Sequence, residues 1–361
     1  MNAGHRRVLI VGPSLRYLGG QAVQAQRLVE GLRELQQLDV EYLVVDPVLP
    51  EPVAFLQRIP IVRTIVTSIA YMLSLVARVP RADTVHIFSA AYWSFLIAPT
   101  PALLIGRLLG KHVLLNYHSG EADDHLQRWG WHVLPLLRLA DEVIVPNDYL
   151  AGIFRRYGIT SRSIANHVDV SWMRSRNRTS VTASFLCNRN FEAHYNVAAV
   201  IDAFALVHAH HAEAHLVIAG SGSLRLALHA QVEALGLTSS VRFTGPVAPS
   251  EMPALYAAAH VYVNASLIDN MPLSLLEAFA AGLPVVTSDA GGIPWIAADG
   301  DTARVVRTGD VQALADAMLD AVANPAETLA RAARACDFVD TRFSWRHVGP
   351  EWERAYAGRA A

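Results

Sequence analysis

Short apolar runs alternate with longer amphipathic segments along nearly the whole chain. The short runs predict buried strands, and the longer segments predict helices. Strands and helices that alternate in this way are typical of parallel sheets covered by helices on both faces, so the pattern predicts an α/β fold. The predicted strands are Arg7–Val11, Val40–Val45, Thr84–Phe88, His112–Tyr117, Glu142–Val145, Ser163–Asn166, Thr182–Leu186, His215–Ala219, Val241–Thr244, Val261–Asn264 and Pro284–Thr287.

The alternation is interrupted by a polar, arginine-rich stretch at 171–180 that has no hydrophobic period. We predict a linker there, between a first domain at 1–170 and a second domain at 181–340. The stretch 341–361 carries aromatic residues and predicts a C-terminal helix, which either packs back onto the first domain or serves ordinary core packing. Two doubly wound, Rossmann-like domains are expected to face each other across a cleft, with ligands at the carboxyl ends of their strands.

Charge and composition narrow the classes of function. The chain has 361 residues and a formal net charge of −2, which gives no general attraction to polyanions and argues against a nucleic-acid partner. Its one lysine, Lys111, is followed by His112, so a P-loop is absent. The two cysteines, Cys187 and Cys336, are too few for a disulfide framework or a four-cysteine metal site, and they fit a reducing cytoplasm.

Membrane contact is an open alternative. The N-terminus leads into a predicted strand without the features of a signal peptide. Near the start of the chain, the longest uncharged apolar stretch is Thr64 to Ala77, which is shorter than the ~20 residues that span a bilayer, so no transmembrane helix is predicted. The region 55–79 has arginines at its flanks and suits peripheral contact with the inner face of an anionic membrane. A pair of ordinary first-domain helices with one buried face is the other interpretation.

In the first domain, two positions follow predicted strands and are candidates for ligand contact. Gly19 and Gly20 precede a helical pattern that starts near Ala22, where free N–H groups favour phosphate, although the Gly-x-Gly-x-x-Gly spacing is absent. A simple turn is the alternative. His118 ends an apolar strand and is the best candidate to contact a reacting sugar, a structural histidine being the alternative.

The second domain has a denser cluster, running from Asp269 to Glu277. Pro272 is predicted to be the first residue of a helix whose unpaired N–H groups, at Leu273 and Ser274, would suit an anion. Asp269 would lie before this helix and Glu277 inside it, where carboxylates can accept hydrogen bonds from sugar hydroxyls. The alternative makes Asp269 a helix cap and Glu277 a solvated residue.

Arg189 and His194 follow the first strand of the second domain, and both can donate to phosphate oxygens. A surface arginine in a loop is the alternative. Two apparent metal motifs are rejected. Asp299-Gly300-Asp301 has the composition of a turn, and the histidines near the end of one predicted helix have no cysteine partner, which favours a solvated helix end. These histidines are His208, His210, His211 and His215.

Together these segments resemble the retaining glycosyltransferases of the GT-B fold, family 4, and in particular a bacterial branch associated with surface and extracellular polysaccharide assembly. The resemblance covers nearly the whole chain and is strongest from Gly220 to Pro294. The segments that carry it are Gly19-Gly20, His118, Asn166-His167-Val168-Asp169, Arg189, Gly220-Ser221-Gly222, Asp269 to Glu277, Gly282-Leu283-Pro284-Val285-Val286 and Gly291-Gly292-Ile293-Pro294.

The resemblance implies a role for each matching position. It implies that Arg189 and Gly20 bind the donor diphosphate, that Glu277 binds the nucleotide ribose, and that Asp269 and His118 contact the donor sugar. The segment Gly245-Pro246-Val247 resembles the edge that receives the base in this family, which implies a place beside the base for Val247. This chain departs from the family at two of its positions: Asp269 stands where the family has glutamate, and His194 stands where it usually has lysine, which makes diphosphate binding pH-dependent if His194 has to be protonated.

The activity implied by the resemblance is transfer of a hexosyl group from a nucleotide diphosphate sugar to a hydroxyl of a saccharide or lipid-linked acceptor. The configuration would be retained, and no cofactor or essential metal is expected. A catalytically silent sugar-nucleotide-binding or partner-binding protein of the same fold is the alternative. A sugar-nucleotide epimerase or a phosphorylase is a third possibility.

Overall fold

The chain forms two compact units. The computed structural model describes residues 6–16, 19–35, 37–168, 170 and 178–357. One unit contains the chain up to Ala165 together with the residues from Val348 onward, and the other runs from Asn166 to His347. The division therefore falls five residues before the predicted domain end at 170. Most of the predicted linker, at 171–177, lies outside the described residues.

The first unit is built on a six-stranded parallel sheet with strand order β2-β1-β3-β4-β5-β6. Its buried apolar side chains form one core, which includes Leu9, Ile87, Leu115 and Phe154. The predicted sixth strand was misplaced, because only Arg162 and Ser163 pair with β5. The strands are β1 (Arg6–Gly12), β2 (Leu38–Val44), β3 (Thr84–Ser89), β4 (His112–Tyr117), β5 (Glu142–Val145) and β6 (Arg162–Ser163).

The helices of the first unit follow its strands in alternation. They are α1 (Gly20–Arg33), α2 (Glu51–Ala54), α3 (Pro60–Arg78), α4 (Tyr92–Ile97), α5 (Pro99–Leu108), α6 (Ala122–Leu137) and α7 (Asp148–Arg156). Short 3-10 turns at Phe55–Arg58 and Val79–Arg81 flank α3.

The second unit repeats the plan around a separate core, with a parallel sheet of order β12-β11-β10-β7-β8-β9. The strands are β7 (Ser184–Cys187), β8 (His215–Ala219), β9 (Val241–Gly245), β10 (Val261–Asn264), β11 (Val285–Ser288) and β12 (Arg304–Val306). The helices are α8 (Val197–His210), α9 (Arg225–Ala234), α10 (Met252–Ala258), α11 (Leu273–Ala280), α12 (Val311–Ala323) and α13 (Pro325–Arg342). Strand β12 was not predicted, because its three half-buried residues lack the apolar run of an inner strand.

Both sheets have a topological switch point, where chain connections leave in opposite directions. It lies between β1 and β3 in the first sheet and between β7 and β10 in the second. Open α/β sheets bind ligands outside the carboxyl ends of the strands at such a point. The loops that follow these four strands are therefore the places to look for a site.

The C-terminal helix α14 (Trp345–Ala357) places buried aromatic side chains on the first sheet. His86 of β3 stacks on Trp352 with ring centroids 5.0 Å apart, and its Nδ1 lies 2.5 Å from the hydroxyl of Tyr356. Burial, assisted by the neighbouring His118, lowers the pKa of His86 to about 3. A neutral histidine therefore joins the last helix to the middle of the first sheet.

Candidate functional site

The centre of the candidate site is Arg189, which lies two residues after β7. Its guanidinium forms an ion pair with Asp269, in the loop after β10, and its Nη1 donates to Ser274 Oγ at 3.0 Å. The side chains of Arg189 and Asp269 are only 9% and 13% exposed. The switch point of the second sheet thus brings together three of the predicted site residues.

The surroundings hold the Arg189 guanidinium in a charged state. Burial by itself lowers the pKa of Arg189, but Asp269, together with Tyr195, Tyr262 and Cys187, outweighs this effect and raises the pKa above its ordinary value. The guanidinium carbon also lies 4.1 Å from the centre of the Tyr195 ring, a cation–π contact. Among the described residues, its buried Nε has no hydrogen-bond partner.

Asp269 is not a cap of α11. Its Oδ1 accepts from the adjacent Asn270 N–H at 2.9 Å, and its other oxygen pairs with Arg189. Gly291 supports the Asp269 backbone, since it has a φ of +54° and a Cβ added there would collide with the Asp269 carbonyl oxygen. The position of this carboxylate is therefore fixed by two loops.

Gly220, which follows β8, fixes Arg189 in the same way. Its φ is +145°, and a Cβ at this position would collide with the Arg189 carbonyl oxygen. A side chain at 220 would push the arginine loop away from the end of β8. Gly220 and Gly291 therefore allow close backbone contact at Arg189 and Asp269.

Helix α11 begins one residue later than predicted. Pro272 is the N-cap, with a ψ of 118°, and Leu273 is the first helical residue. The first helical hydrogen bonds run from Leu275 and Leu276 to the Pro272 carbonyl. The N–H groups of Leu273 and Ser274 consequently have no carbonyl partner inside the helix, and they form a positive helix end beside Arg189.

Glu277 is buried, so the alternative of a solvated helix residue is wrong. The Tyr256 hydroxyl on α10 donates to Glu277 Oε2 at 2.8 Å and accepts from Asn188 Nδ2 at 2.7 Å. Burial and the Glu277 carboxylate raise the pKa of Tyr256 well above its ordinary value, so the phenol remains a donor. A hydrogen-bond chain therefore connects the residue before Arg189 to Glu277.

Two predicted donor-binding residues lie outside this hydrogen-bonded centre. His194 is in a 3-10 turn, its ring centroid 4.1 Å from that of Tyr195, and its carbonyl accepts from the Leu267 N–H at 2.8 Å. Val247 is half-buried two residues after β9, and β8 separates β9 from β7. At ~4.8 Å per strand the two strands are about 10 Å apart, so Val247 is a neighbour of the centre but does not belong to it.

In the first unit, the predicted residues lie around the carboxyl end of β3. Gly19 is the N-cap of α1 and Gly20 its first residue, so the helix starts two residues earlier than predicted. The Ser89 carbonyl, at the end of β3, accepts from Gln21 Nε2 at 2.8 Å and from the His118 N–H at 3.3 Å. One carbonyl therefore joins the first turn of α1 to His118.

His118 stacks on Phe88 with ring centroids 5.3 Å apart. Burial lowers its pKa to about 4, so the imidazole is neutral near pH 7. A neutral ring offers one donor or one acceptor to a hydroxyl but carries no positive charge.

The apparent metal motifs have other partners. Asp299 pairs with Arg304 and Asp301 with Arg334, and Gly300 between them has a φ of +74° in a turn. In the described part of the chain, no three histidine, cysteine, aspartate or glutamate side chains cluster as metal ligands.

Comparison with known families agrees with this architecture. Residues 18–172 match the model described as Glycosyltransferase Family 4, and residues 172–336 match the one described as Glycosyl transferases group 1. Each half of the chain thus matches one glycosyltransferase model, and the two matches together extend from residue 18 to residue 336. Its two Rossmann-like sheets are those of the GT-B fold.

Individual relatives are similar over different lengths. The chain is 33% identical over 138 residues to D-inositol 3-phosphate glycosyltransferase of Corynebacterium aurimucosum, covering 38% of this chain and 32% of that protein. It is 27% identical to glycogen synthase of Mycobacterium tuberculosis, covering 76% and 69%. HepE of Anabaena, solved with UDP-glucose, has a TM-score of 0.75 at 18% identity, covering 98% and 100%. The match thus spans about a third of the first relative.

Sequence reasoning missed three tyrosines at this site. Tyr195 contacts Arg189, Tyr256 donates to Glu277, and Tyr262 donates to Ser274 Oγ at 2.7 Å. Tyr262 is buried inside β10, where its sequence context indicates only a strand residue. Tyr256 lies in a helix distant in sequence from Glu277, so no local spacing signals their contact.

Proposed function

We propose that this protein transfers a hexosyl group from a nucleotide diphosphate sugar to an acceptor hydroxyl, with retention of configuration, in polysaccharide or glycoconjugate synthesis. One observation carries the proposal. A buried, charged arginine and the free N–H end of α11 lie side by side at the switch point of the second sheet. Such a pair of cationic features suits a diphosphate.

Each part of the donor has a proposed partner in the second unit. Arg189 and the N–H groups of Leu273 and Ser274 bind the diphosphate, and His194 adds a donor beside them. Glu277, held by the Tyr256 hydroxyl, binds the ribose. Val247 borders the base. Asp269, paired with Arg189, accepts from hydroxyls of the donor sugar.

In the first unit, Gly19 and Gly20 offer the amides at the start of α1 to the diphosphate. His118 hydrogen-bonds the transferred sugar as a neutral ring, because its pKa of about 4 leaves it uncharged near neutral pH. A neutral donor does not repel the positive charge that grows on the sugar ring as the glycosidic bond breaks.

Charge stabilisation is the proposed source of catalysis. As the bond between sugar and diphosphate breaks, negative charge grows on the leaving phosphate. Donors that are already fixed where this charge develops stabilise the transition state, and losing one typically costs on the order of 10²–10³ in rate. The ion pair with Asp269 and the bond to Ser274 fix Arg189 before the donor arrives.

Retention is proposed to proceed by front-face attack of the acceptor, with the leaving phosphate taking the acceptor proton. Both oxygens of Asp269 have partners, one the Asn270 N–H and the other Arg189. An engaged carboxylate is a weak nucleophile, which supports a mechanism without a covalent sugar–enzyme intermediate. The reaction is proposed to need no metal, because Arg189 and the end of α11 supply the positive charge.

The first experiment compares Arg189→Ala and Arg189→Lys with the parent protein in a panel of nucleotide sugars, beginning with the UDP-glucose found in HepE. We expect Arg189→Ala to lower transfer by at least about 10²-fold, and Arg189→Lys to recover part of it through its point charge. Undiminished turnover by the alanine variant would refute the role. The same assay in EDTA tests metal independence, and NMR of the product's anomeric proton tests retention.

A silent nucleotide-sugar-binding protein is the second candidate. It is favoured by the Arg189–Asp269 ion pair, which engages both side chains with each other. Calorimetric titration of the donor separates the two candidates. Binding without transfer or hydrolysis across donors and acceptors would support the silent protein, whereas product formation would exclude it.

The acceptor and the compartment are also proposed. The acceptor is a saccharide or a lipid-linked saccharide, and the site of action is the cytoplasm. Both cysteines are free thiols, and burial raises the pKa of Cys187 to about 12, which leaves it unreactive. Free thiols suit a reducing compartment.

A further inference from the structure

Helix α3 presents an apolar face to solvent along its whole length. The exposed residues follow a spacing of three, four and seven, so they share one side of the helix. Ile61 is 76% exposed and Leu73 is 66% exposed. The members of this face are Ile61, Ile65, Ile69, Met72, Leu73 and Val76, and we call it the α3 face.

The opposite side of α3 belongs to the core of the first unit. Tyr71, Leu75 and Val79 are buried, and the Tyr71 hydroxyl donates to the Ala98 carbonyl at 2.7 Å. The helix is thus apolar on both sides, although it has a partner on only one. A contiguous row of large exposed apolar side chains usually marks a contact surface, so the α3 face is expected to have an occupant.

By length and composition the stretch Ile61–Arg81 could cross a membrane. The prediction that this region is too short to span a bilayer is therefore wrong. Helix α3 and the 3-10 turn after it extend beyond Thr64–Ala77 and include Arg63, Arg78 and Arg81. The packing of α3 against the first core argues against a membrane span. If this stretch crossed a bilayer, Tyr71, Leu75 and Val79 would have to leave the first core. If α3 instead lies in the plane of the membrane–water interface, these three side chains stay in the core.

The charges near α3 indicate which kind of partner covers the α3 face. Residues 52–82 contain four arginines and no aspartate or glutamate. Arg78 pairs with Glu41 at 3.1 Å, whereas Arg58, Arg63 and Arg81 are exposed and have no carboxylate partner in the described part of the chain. The unpaired arginines lie near the two ends of α3. A second copy docked face to face would add its own arginines to these, which disfavours a symmetric dimer.

We propose that the α3 face docks in the plane of an anionic phospholipid surface, with its apolar side chains at the boundary with the acyl chains and the flanking arginines at the headgroups. Interfacial helices bind by this combination of apolar burial and attraction to anionic lipid. The inference does not depend on the proposed transfer activity, since it rests on the first unit alone.

Vesicle co-sedimentation tests the proposal. We expect the protein to sediment with phosphatidylcholine vesicles that contain phosphatidylglycerol, to bind vesicles of phosphatidylcholine alone more weakly, and to dissociate as salt is raised. Ile69→Glu with Leu73→Glu should weaken binding at least about tenfold, because two apolar side chains no longer enter the interface. Both positions are exposed, so circular dichroism and thermal unfolding should remain like those of the parent.

The matched control is Leu226→Glu, which changes a leucine that is 83% exposed on α9 of the second unit. It should bind vesicles like the parent protein. Replacing Arg58, Arg63 and Arg81 by glutamine should lower binding to the anionic vesicles by about fivefold per arginine and leave binding to neutral vesicles unchanged.

Two outcomes would overturn the proposal. One is no sedimentation with anionic vesicles at low salt. The other is concentration-dependent dimerisation in sedimentation velocity that the Ile69→Glu, Leu73→Glu variant abolishes while vesicle binding is unaffected, which would make the face a protein interface.

Discussion

Glu277 shows how one buried carboxylate depends on a residue far from it in sequence. The carboxylate lies inside α11 and accepts from Tyr256 on α10, and Tyr256 in turn accepts from Asn188. Buried polar groups need such partners, because a partner removed without replacement leaves a desolvated group behind. The tyrosine therefore positions the carboxylate that we propose for the ribose.

Replacing Tyr256 by phenylalanine should lower the free energy of unfolding of the second unit by about 1–3 kcal/mol and weaken UDP binding. Urea unfolding and calorimetric titration measure the two effects. Tyr71→Phe is the control, since it also loses a buried hydroxyl bond, but in the first unit. It should lower stability and leave UDP affinity unchanged. Equal UDP affinity in Tyr256→Phe and the parent would contradict the positioning role.

At the scale of elements, α14 is attached to β3 through a histidine that must stay neutral. Charging His86 would place a cation among Phe88, Trp352 and Tyr356 in a fully buried position. The low pKa follows from this burial. The contact between the last helix and the first sheet is consequently sensitive to acid.

The sign of this sensitivity follows from the two pKa values of His86, about 3 in the folded chain and 6.5 ordinarily. Between these values the unfolded chain binds the proton and the folded chain does not, so stability is complete above pH 6.5 and falls as the pH is lowered. By pH 5 His86 should cost about 2 kcal/mol. Urea unfolding at pH 7 and pH 5 measures the loss.

The control for His86 is His86→Gln, which cannot be charged and still offers a hydrogen bond to Tyr356. It should be less stable than the parent at pH 7 but lose about 2 kcal/mol less on going to pH 5. His118 and His125, whose pKa values burial also lowers, are present in both proteins. Identical pH dependence in the two proteins would refute the role of His86.

At the scale of the whole molecule, two separate cores support two sheets, and the chain passes from one unit to the other and back. Each sheet places its polar loops at its own switch point. The ion pair of Arg189 with Asp269 and the hydrogen bonds to Ser274 and Glu277 all belong to the second unit. We therefore expect a bound nucleotide to protect mainly the loops of the second unit.

Hydrogen exchange with and without saturating UDP tests this expectation. Amides at 188–195 and 265–276 should exchange more slowly with UDP bound, because the ligand covers the loops after β7 and β10. The edge of the first sheet at β5 and β6 should be unaffected. Protection at Gly20 would support its proposed contact with the diphosphate. Unchanged exchange at 265–276 under saturation would contradict binding at the end of α11.

Much of the fold could be predicted from local pattern. Four of the predicted strands, among them His112–Tyr117 and Val261–Asn264, match the structure at both ends. A run of apolar residues between helices specifies an inner parallel strand almost by itself. Edge strands are harder to predict, because β6 and β12 are short and half-buried and their pairing depends on a neighbour.

The candidate site was predictable only in part. The types of residue at Arg189, Asp269, Ser274 and Glu277 were evident from motifs after strands, and GT-B architecture followed from the same segments. The partners of these residues were not evident. The Arg189–Asp269 ion pair joins positions 80 residues apart, and Tyr256 and Tyr262 reach the site from other elements.

The sequence by itself determined the alternation of strands and helices, and hence two parallel sheets, because burial on both faces requires continuous apolar runs at a regular spacing. Tertiary structure alone decided which polar groups meet, since contacts between loops depend on strand order rather than on spacing along the chain. It also decided that α3 keeps one apolar side in the core and turns the other to solvent, a difference that its largely apolar sequence does not reveal.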